Sequence, residues 1–311
     1  MNKKYVVTGG SGFIGSGLVR VLQQLGNARI AVIDNLLTGH KKNLDELANI
    51  DFHQLDIRHY DDIAPVIAGA DTVFHLAAIP SVPKSIADPV PSHDVNINGT
   101  FAVLQAAKEG GVRRVVYAAS SSAYGDTDVL PKVESMKPMP KSPYALQKLV
   151  GEYYCNVFTS CFGLETIGLR FFNVYGPRQD PTSPYSGVLS LFMKHLIART
   201  APTIHGDGEQ TRDFTYVEDV AALIIKASTK GVPGSTYNAG NGGRYSLNTI
   251  WSMLQKIEGV DIQPNYGPGR AGDVRDSQAD TTAAKRDLGH DPRFILEEGL
   301  SRTLAWYKTS L

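Results

Sequence analysis

Short apolar runs alternate with amphipathic segments through the first half of the chain. The runs are apolar throughout, which is typical of strands buried on both faces of a parallel sheet. The segments between them place apolar residues at helical spacing and several end at glycine. This alternation predicts an α/β fold with a doubly wound parallel sheet. The predicted strands are 3–10, 28–34, 50–57, 70–78, 113–120 and 164–172, and the predicted helices are 13–26, 92–110 and 144–161.

The second half is less regular and begins with a loop rich in Pro, Ser and Gly at 176–187. We predict a first domain at 1–172, to which about 206–240 returns, and a smaller lobe at 173–311 that covers the open edge of the sheet. No internal repeat or low-complexity segment interrupts this plan. The elements predicted in the second half of the chain are helices near 188–199, 217–229, 246–258 and 297–308, and a strand and turn at 235–241.

The composition limits the kinds of molecule that the protein is expected to bind. The 311 residues carry a formal net charge of zero, which gives no electrostatic footprint for nucleic acid or an anionic membrane. No apolar run approaches the roughly 18 residues of a membrane span, and no apolar signal segment precedes the first strand. The two cysteines, Cys155 and Cys161, face apart on one predicted helix, and no Cys and His residues have metal-ligand spacing. We expect a reduced, cytoplasmic protein without a metal.

The stretch TGGSGFIG (8–15) lies between the first strand and the first helix. Gly9 allows the tight turn, Gly12 lets the main chain approach a pyrophosphate, and Gly15 lets the helix pack on the strand. Asp34 ends the next strand, where it can bond ribose hydroxyls and repel a 2′-phosphate. These features together predict a site for NAD rather than NADP.

Residues at the ends of later strands line the ligand crevice of such a sheet. Asp56 is placed to reach the adenine, and the small Ala77 and Ala78 leave room for the cofactor, although each also suits simple sheet packing.

The stretch SPYALQK (142–148) predicts a helix that starts with Ser142 as N-cap and Pro143 at its first position. Tyr144 and Lys148 then lie one turn apart on the same face. A nearby ammonium and a cofactor pyridinium would lower the pKa of the phenol, so that it could exchange a proton with a sugar hydroxyl. On spacing alone, an ordinary helix with a lysine reaching to solvent explains the pair as well.

The chain resembles the extended short-chain dehydrogenase/reductase family along nearly its whole length. The resemblance rests on TGGSGFIG, Asp34, HLAA (75–78), NINGT (96–100), the serines of AASSSAYG (118–125), YALQK, LRFFNVYGPR (169–178), GDGEQTRDFTYVEDV (206–220) and GPGRAGDVRDSQAD (267–280). It implies a Rossmann domain that binds NAD and a small lobe that binds a UDP- or dTDP-sugar. Within the family the chain looks most like the UDP-hexose 4-epimerases, especially the branch that acts on N-acetylated sugars.

The resemblance also implies a role for each matching residue. Tyr144 is the acid/base, Lys148 lowers its pKa and holds the nicotinamide ribose, and Ser120 and Ser121 assist the proton transfer. The residues implied to bind the cofactor are Gly9, Gly12, Phe13, Ile14, Gly15, Asp34, Asn35, Thr38, Gly39, Asp56, Ile57, Leu76, Ala77, Ala78, Asn96, Tyr144, Lys148 and Phe171. The residues implied to bind the nucleotide sugar are Ser81, Ser122, Asn173, Gln179, Val188, Arg212, Arg270, Asp273 and Ser277.

The serine run distinguishes between reactions of the family. The 4,6-dehydratases and UDP-glucuronate decarboxylases carry acidic residues there, whereas this chain has Ser121, Ser122 and Ala123. This favours a redox-neutral cycle in which C4 is oxidised, the 4-keto sugar rotates and the hydride returns, with NAD kept bound. Ser277 lies where bulky residues exclude an N-acetyl group, and Gln179 and Ser81 match positions that contact it.

These features predict interconversion of UDP-GlcNAc and UDP-GalNAc, with UDP-Glc and UDP-Gal as a further pair. A UDP-glucuronate 4-epimerase, a decarboxylase or reductase of a nucleotide sugar, and a non-catalytic NAD-binding sensor stay open as alternatives. The resemblance further implies a homodimer, in which helices 92–110 and 144–161 of two subunits form a four-helix bundle.

Overall fold

The computed structural model describes residues 3–26, 28–180, 187–269 and 274–310. Its strands are β1 Lys3–Thr8, β2 Ala28–Ile33, β3 Ile50–His53, β4 Thr72–His75, β5 Arg114–Ser120, β6 Glu165–Phe171, β7 Asn173–Tyr175, β8 Thr203–His205, β9 Thr211–Arg212, β10 Phe214–Tyr216, β11 Thr236–Ala239, β12 Tyr245–Ser246 and β13 Asn265–Gly267. Its helices are α1 Phe13–Gln24, α2 Tyr60–Ile67, α3 Val82–Ala87, α4 Pro89–His93, α5 Thr100–Glu109, α6 Pro143–Phe162, α7 Val188–Ile197, α8 Val217–Ala227, α9 Leu247–Glu258, α10 Thr282–Leu288 and α11 Leu296–Ser310.

A seven-stranded sheet with the order β11-β6-β5-β4-β1-β2-β3 forms the centre of the molecule. Every neighbouring pair in it is parallel. The strand order reverses at β1, which has β2 on one side and β4 on the other, and ligands bind such sheets beyond the carboxyl ends at this point. The predicted doubly wound α/β fold is confirmed.

Helices cover both faces of this sheet. α2, α5 and α6 bury one apolar cluster against it, and α1, α8 and α10 bury another on the opposite face. A third cluster lies among α7, α9 and α11, where the later part of the chain builds its own core. Within the described ranges, no helix has the length and apolar character needed to cross a membrane.

The short paired strands of the second half connect this third cluster to the sheet. β7 pairs with β10 in parallel, β9 with β12 in antiparallel fashion, and β8 with β13 in parallel. β11 then returns to the edge of the central sheet beside β6. The division into domains at residue 172 stays a prediction.

The predicted elements differ from the structure mainly at their ends. The strands predicted at 3–10, 50–57 and 70–78 stop at Thr8, His53 and His75, because the residues that follow belong to loops at the crevice. The helix predicted at 92–110 begins earlier as α4, passes through a wider helical turn at Asp94–Gly99, and continues as α5. The prediction lacked α2, which is short and contains Pro65, as well as α3, α10 and the two- and three-residue strands.

Candidate active site

The glycine loop joins β1 to α1 in a tightly packed turn. Gly9 has a φ of +72°, and a Cβ there would lie 2.7 Å from the nitrogen of Ala77. A Cβ at Gly15 would lie 2.0 Å from the carbonyl oxygen of Gly9, so the helix packs on the loop only without a side chain. No side chain within the described chain caps α1, which leaves the main-chain N–H groups of its first turn available to an anion.

Asp34 follows β2 and is held against the glycine loop. Its carboxylate accepts the N–H of Ser11 at 2.9 Å and the N–H of Leu36 at 2.8 Å. Burial raises the pKa of this carboxyl, and the two N–H donors act to lower it. The hydroxyl of Ser11 is buried without a partner among the described residues. A fixed carboxylate, an unpartnered hydroxyl and an uncapped helix end fit the ribose and pyrophosphate of a dinucleotide.

Tyr144 enters the site from the start of α6. Ser142 caps the helix by accepting the N–H of Ala145 at 3.2 Å, and Pro143 occupies the first position, as the sequence predicts. The N–H of Tyr144 donates to the hydroxyl of Ser85 at 3.1 Å. The cap and this bond fix where the tyrosine leaves the helix.

The ammonium group of Lys148 is held by the main chain of β5. It donates to the carbonyl of Ala118 at 2.8 Å and lies 5.1 Å from the ring centroid of Tyr117. Burial lowers the pKa of Lys148 to about 8. Burial also raises the pKa of Tyr144, and a hydrogen bond with Ser120 acts to lower it. The lowering expected from Lys148 is therefore not seen in the chain by itself, because its ammonium bonds to the main chain of β5.

The serine run lies beside Tyr144 at the carboxyl end of β5. Ser120 ends the strand, and its hydroxyl oxygen is 2.8 Å from that of Ser122. These side chains line a cavity of about 250 Å³. The predicted site residues that line it are Ser120, Ser121, Ser122, Tyr144, Phe171, Asn173, Arg212 and Ser277. The cavity therefore brings the serine run and the helix start together with residues more than 50 positions further along the chain.

Residues 5–240 match the family described as "Epimerase: NAD dependent epimerase/dehydratase family". The chain belongs to this family. A UDP-glucose 4-epimerase of Mycolicibacterium smegmatis is 36% identical over 309 residues, which cover 97% of this chain and 98% of the relative. A UDP-glucuronate 4-epimerase of Thermodesulfobacterium geofontis is 34% identical over 319 residues, with 99% and 97% covered.

A solved structure of a UDP-N-acetylglucosamine 4-epimerase from Methanobrevibacter ruminantium, in complex with UDP-N-acetylmuramic acid, is also similar. It is 34% identical with a TM-score of 0.95 and covers 100% of this chain and 99% of that one. The predictions of an extended short-chain dehydrogenase/reductase of the epimerase family, of an enzyme and of NAD as cofactor are confirmed. Relatives with three different sugars are nearly equally identical, so overall similarity does not select the sugar.

The other residues predicted for the cofactor of this epimerase-family protein lie along the carboxyl edge of the sheet. Asn35 donates to Asp56 at 2.9 Å, which joins the ends of β2 and β3. Asn96 is buried, and its amide bonds to Ile79 and to Gln147, so it holds the segment after β4 in place. The partly or fully buried members around them are Phe13, Ile14, Gly39, Ile57, Leu76, Ala77 and Ala78, and Thr38 is exposed.

Some residues predicted to bind substrate lie elsewhere. Arg270 and Asp273 fall outside the described residues. Ser81 caps α3 by accepting the N–H of Lys84, next to the cavity-lining Val82. Gln179 and Val188 flank the undescribed segment 181–186 and, like Ser81, are not among the described lining residues.

Lys132 is a cavity residue that the sequence did not indicate. Lys132 is only 2% exposed, although a charged residue in a loop is expected at the surface. Its main chain bonds to Gln278 and Asp280, which places it beside Ser277. Asp276 also lines the cavity, where it bonds to Thr211 and pairs with Arg244 at 3.2 Å. Only this long-range pairing of two loops, which no local pattern encodes, gives Lys132 its position.

Proposed function

We propose that the protein is a UDP-sugar 4-epimerase that interconverts UDP-GlcNAc and UDP-GalNAc, with UDP-Glc and UDP-Gal as a further substrate pair. The observation that carries the proposal is that Ser277 lines the same cavity as Tyr144 and Ser120. Its small side chain leaves room for an N-acetyl group at C2 and offers a hydroxyl to the amide. The named relatives, which are 4-epimerases of UDP-sugars, support the reaction class.

The absence of a free carboxylate beside the serines supports epimerisation over elimination. Asp276 is the one acidic residue among the described cavity-lining positions, and it is engaged by Thr211 and Arg244. Removal of water across C5 and C6 needs a free acidic group at the sugar. No such group faces the serine run in the described part of the cavity.

Tyr144 acts in this proposal as the acid/base at the sugar 4-hydroxyl. Ser120 lies beside Tyr144 in the cavity wall, and in this proposal it passes the proton together with Ser121. Because burial raises the phenol pKa, positive charge must lower it for the reaction to run near neutral pH. In the proposal this charge comes with the bound cofactor, and Lys148 would add to it once its ammonium also contacts the nicotinamide ribose.

The glycine loop would hold the pyrophosphate of NAD on the first turn of α1, and Asp34 would bond the adenosine ribose. Bound there, NAD would supply reversible hydride chemistry at C4 of the sugar. The chain keeps Lys148 beside the crevice, where it would hold the nicotinamide ribose. Asn173 and Arg212 would bind the diphosphate of the substrate, for which a guanidinium is well suited.

A UDP-glucuronate 4-epimerase is the second candidate. The observation that favours it is a pair of cations in the cavity wall, Lys132 and Lys141. Either ammonium could pair with the C6 carboxylate of a uronate, and that of Lys132 also donates to the carbonyl of Thr127. Lys141 is also within 3.5 Å of Asp126, which offsets its charge.

We also propose that the protein forms a homodimer through the outer face of α6. Leu146, Tyr153 and Val157 are between 44% and 56% exposed, and helical spacing places them on one face. Phe101 of α5 is exposed beside it. An exposed apolar stripe of this length on two adjacent helices is suited to a second copy of the chain.

The substrate is tested by incubating the purified protein, without added cofactor, with UDP-GlcNAc, UDP-Glc or UDP-glucuronate and following the products by proton NMR. We expect UDP-GalNAc to form faster than UDP-Gal, with no net NADH. Conversion of UDP-glucuronate alone would replace the proposal with the second candidate. No conversion of any substrate by protein that contains NAD would contradict the epimerase itself.

A Ser277→Tyr variant tests the role of the small residue. Tyrosine would fill the space next to C2, so we expect kcat/KM for UDP-GlcNAc to fall by about 100-fold or more and that for UDP-Glc by far less. An equal loss for both substrates would show that Ser277 does not select the C2 group.

A further inference from the structure

Asp213 is a buried carboxylate next to the cavity but not in its wall. It joins β9 to β10 and is 0% exposed. Its carboxylate accepts three main-chain N–H groups, from Asn241 at 2.8 Å, Gly242 at 2.9 Å and Ala279 at 3.0 Å. Burial raises its pKa to about 6, against the effect of these donors. Burial of this carboxylate therefore costs free energy, and the hydrogen bonds from three main-chain N–H groups compensate for part of that cost.

The three donors belong to two separate parts of the chain. Asn241 and Gly242 form the turn after β11, and Ala279 lies in the segment 274–280. The carbonyl of Asp213 also accepts the N–H of Asn173 at 3.0 Å. One residue thus connects β7, the β9–β10 junction, the turn after β11 and the segment 274–280.

Three of these four connected parts carry a side chain of the cavity wall. Asn173 is the direct partner of the Asp213 carbonyl, Arg212 is the preceding residue, and Ser277 lies two residues before Ala279. The N–H of Ser277 also donates to the carbonyl of Thr211 at 3.1 Å. The distances between these three side chains therefore depend on Asp213, through its carbonyl for Asn173 and through its carboxylate for the segment that carries Ser277.

The packing leaves little freedom around this carboxylate. A Cβ at Gly240 would lie 2.8 Å from its Oδ2 atom and 2.5 Å from the Cβ of Ala279. The turn and the segment 274–280 are thus pressed together with the carboxylate between their N–H groups. A shift of any of them moves the others.

We propose that Asp213 is a positioning residue for the nucleotide-sugar side of the cavity, which sets the relative places of Asn173, Arg212 and Ser277 without touching the ligand. This inference rests on the proposed function, because it assumes that the cavity binds a UDP-sugar. It goes beyond that function by assigning the geometry of the binding groups to a residue buried behind them.

Asp213→Asn tests the proposal with little change in volume. The carboxylate oxygens accept one N–H on one side and two on the other, so an amide in either orientation directs its NH₂ group at a main-chain N–H. At least one donor is left unpaired, which moves the turn or the segment 274–280. We expect the Kd for UDP, a part shared by all candidate substrates, to rise at least about tenfold. The Kd for NAD should stay within about twofold.

Asp219→Asn is the matched control. Asp219 is also buried, and it accepts the N–H groups of Arg293 at 2.9 Å and Phe294 at 3.1 Å. Burial raises its pKa as well. It ties α8 to the segment before α11, and none of these residues is among the described lining of the cavity. We expect this variant to lose thermal stability while its Kd for UDP stays near the wild-type value.

The experiment measures the Kd for UDP and for NAD by calorimetry and the Tm of the full-length wild type and both variants. Wild-type affinity for UDP in Asp213→Asn, or an equal loss in Asp219→Asn, would overturn the proposal. Should Asp213→Asn not fold, Gly240→Ala displaces the same segment from the other side and should weaken UDP binding likewise. Failure of the wild type to bind UDP would instead overturn the proposed function, and this inference with it.

Discussion

Gly12 and Gly15 belong to the same loop but are needed for different reasons. A Cβ at Gly15 would lie 2.0 Å from the carbonyl oxygen of Gly9, whereas one at Gly12 would meet only that oxygen, at 3.2 Å. Gly12 has a φ of −75°, which any residue adopts. The fold therefore does not demand a glycine at position 12, and we propose that the missing side chain serves the approach of a pyrophosphate.

We expect Gly12→Ala to keep its fold and lose cofactor affinity. Alanine at an extended position changes stability by less than about 1 kcal/mol, while a methyl group facing the pyrophosphate should raise the Kd for NAD by about 10- to 100-fold. Thermal unfolding and NAD titration check the two expectations separately. Gly15→Ala is the contrasting variant, which should lower the Tm as well. A fall in the Tm of Gly12→Ala would mean that packing, not the ligand, requires glycine there.

Tyr144→Phe should lower kcat by about 10²- to 10⁴-fold, which is the usual contribution of a general acid/base. Its Kd for UDP should not change, because the phenol interacts with the serine run and not with the residues proposed to bind phosphate. NMR turnover and UDP titration measure the two quantities. Tyr153→Phe, on the exposed face of the same helix, is the control and should remain active. Activity of Tyr144→Phe within tenfold of the wild type would assign the proton transfer to another group.

Some residues of the site could be predicted from their neighbours in the sequence, whereas others depend on contacts with distant parts of the chain. Ser142 and Pro143 start a helix by rules that act within four residues, so the place of Tyr144 followed from the sequence. The ammonium of Lys148 bonds to Ala118, which is 30 residues away, and spacing along the helix cannot show that contact. Lys132 reaches the cavity only because its loop pairs with 278–280.

At the scale of elements, a buried ion pair fastens α6 to β6. Glu152 and Arg170 are each 5% exposed, and the guanidinium approaches the carboxylate to 2.7 Å. The same guanidinium lies 4.6 Å from the ring centroid of Tyr124, close to the serine run. Tyr144, Lys148 and Glu152 follow one another at four-residue spacing, so one helix face carries the predicted acid/base, its lysine and the anchoring carboxylate.

Glu152→Gln should destabilise the protein by about 3–5 kcal/mol, because it leaves the charge of Arg170 buried and unpaired. Replacement of both residues by Met should recover most of this loss. The attraction within a buried ion pair is largely offset by the free energy needed to remove both charges from water. Denaturant unfolding gives the free energies. Glu298→Gln removes an exposed pair with Arg302 in α11 and should cost less than about 1 kcal/mol. Equal losses in the single and double variants would show that the pair itself is strongly stabilising.

The order of elements could be predicted more fully than their limits. Strands β1, β5 and β6 and helices α6 to α9 follow from apolar runs and end signals such as Gly163, which adopts a φ of +71°. The short strands β9 and β12 have two residues each and exist only through their pairing. α2 contains a proline and so lacks the usual sequence signal of a helix.

At the scale of the whole molecule, the exposed stripe on α6 predicts the oligomeric state. We expect the protein to elute with the molar mass of two chains, and the double variant Leu146→Asp and Tyr153→Asp to elute as one, because charge in an apolar interface is costly. Size-exclusion chromatography with light scattering measures both. Ile295→Asp changes a side chain that is 68% exposed outside this stripe and should leave the mass unchanged. A wild type with the mass of one chain would contradict the proposed dimer.

The return of β11 to the edge of the central sheet limits how this enzyme can be recombined with its relatives. Strands β7 to β10 precede β11 in the chain, and β11 lies beside β6 in the central sheet. Helix α8, which precedes β11, and helix α10, which follows it, pack on one face of this sheet. A hybrid with a single junction at residue 172 would therefore take β11, α8 and α10 from the relative and pack them against the sheet of this chain. On the proposal that Ser277 selects the C2 group, exchange of sugar preference calls for a smaller graft. The segment 274–280, which carries Ser277, is one continuous stretch and can be transplanted with two junctions.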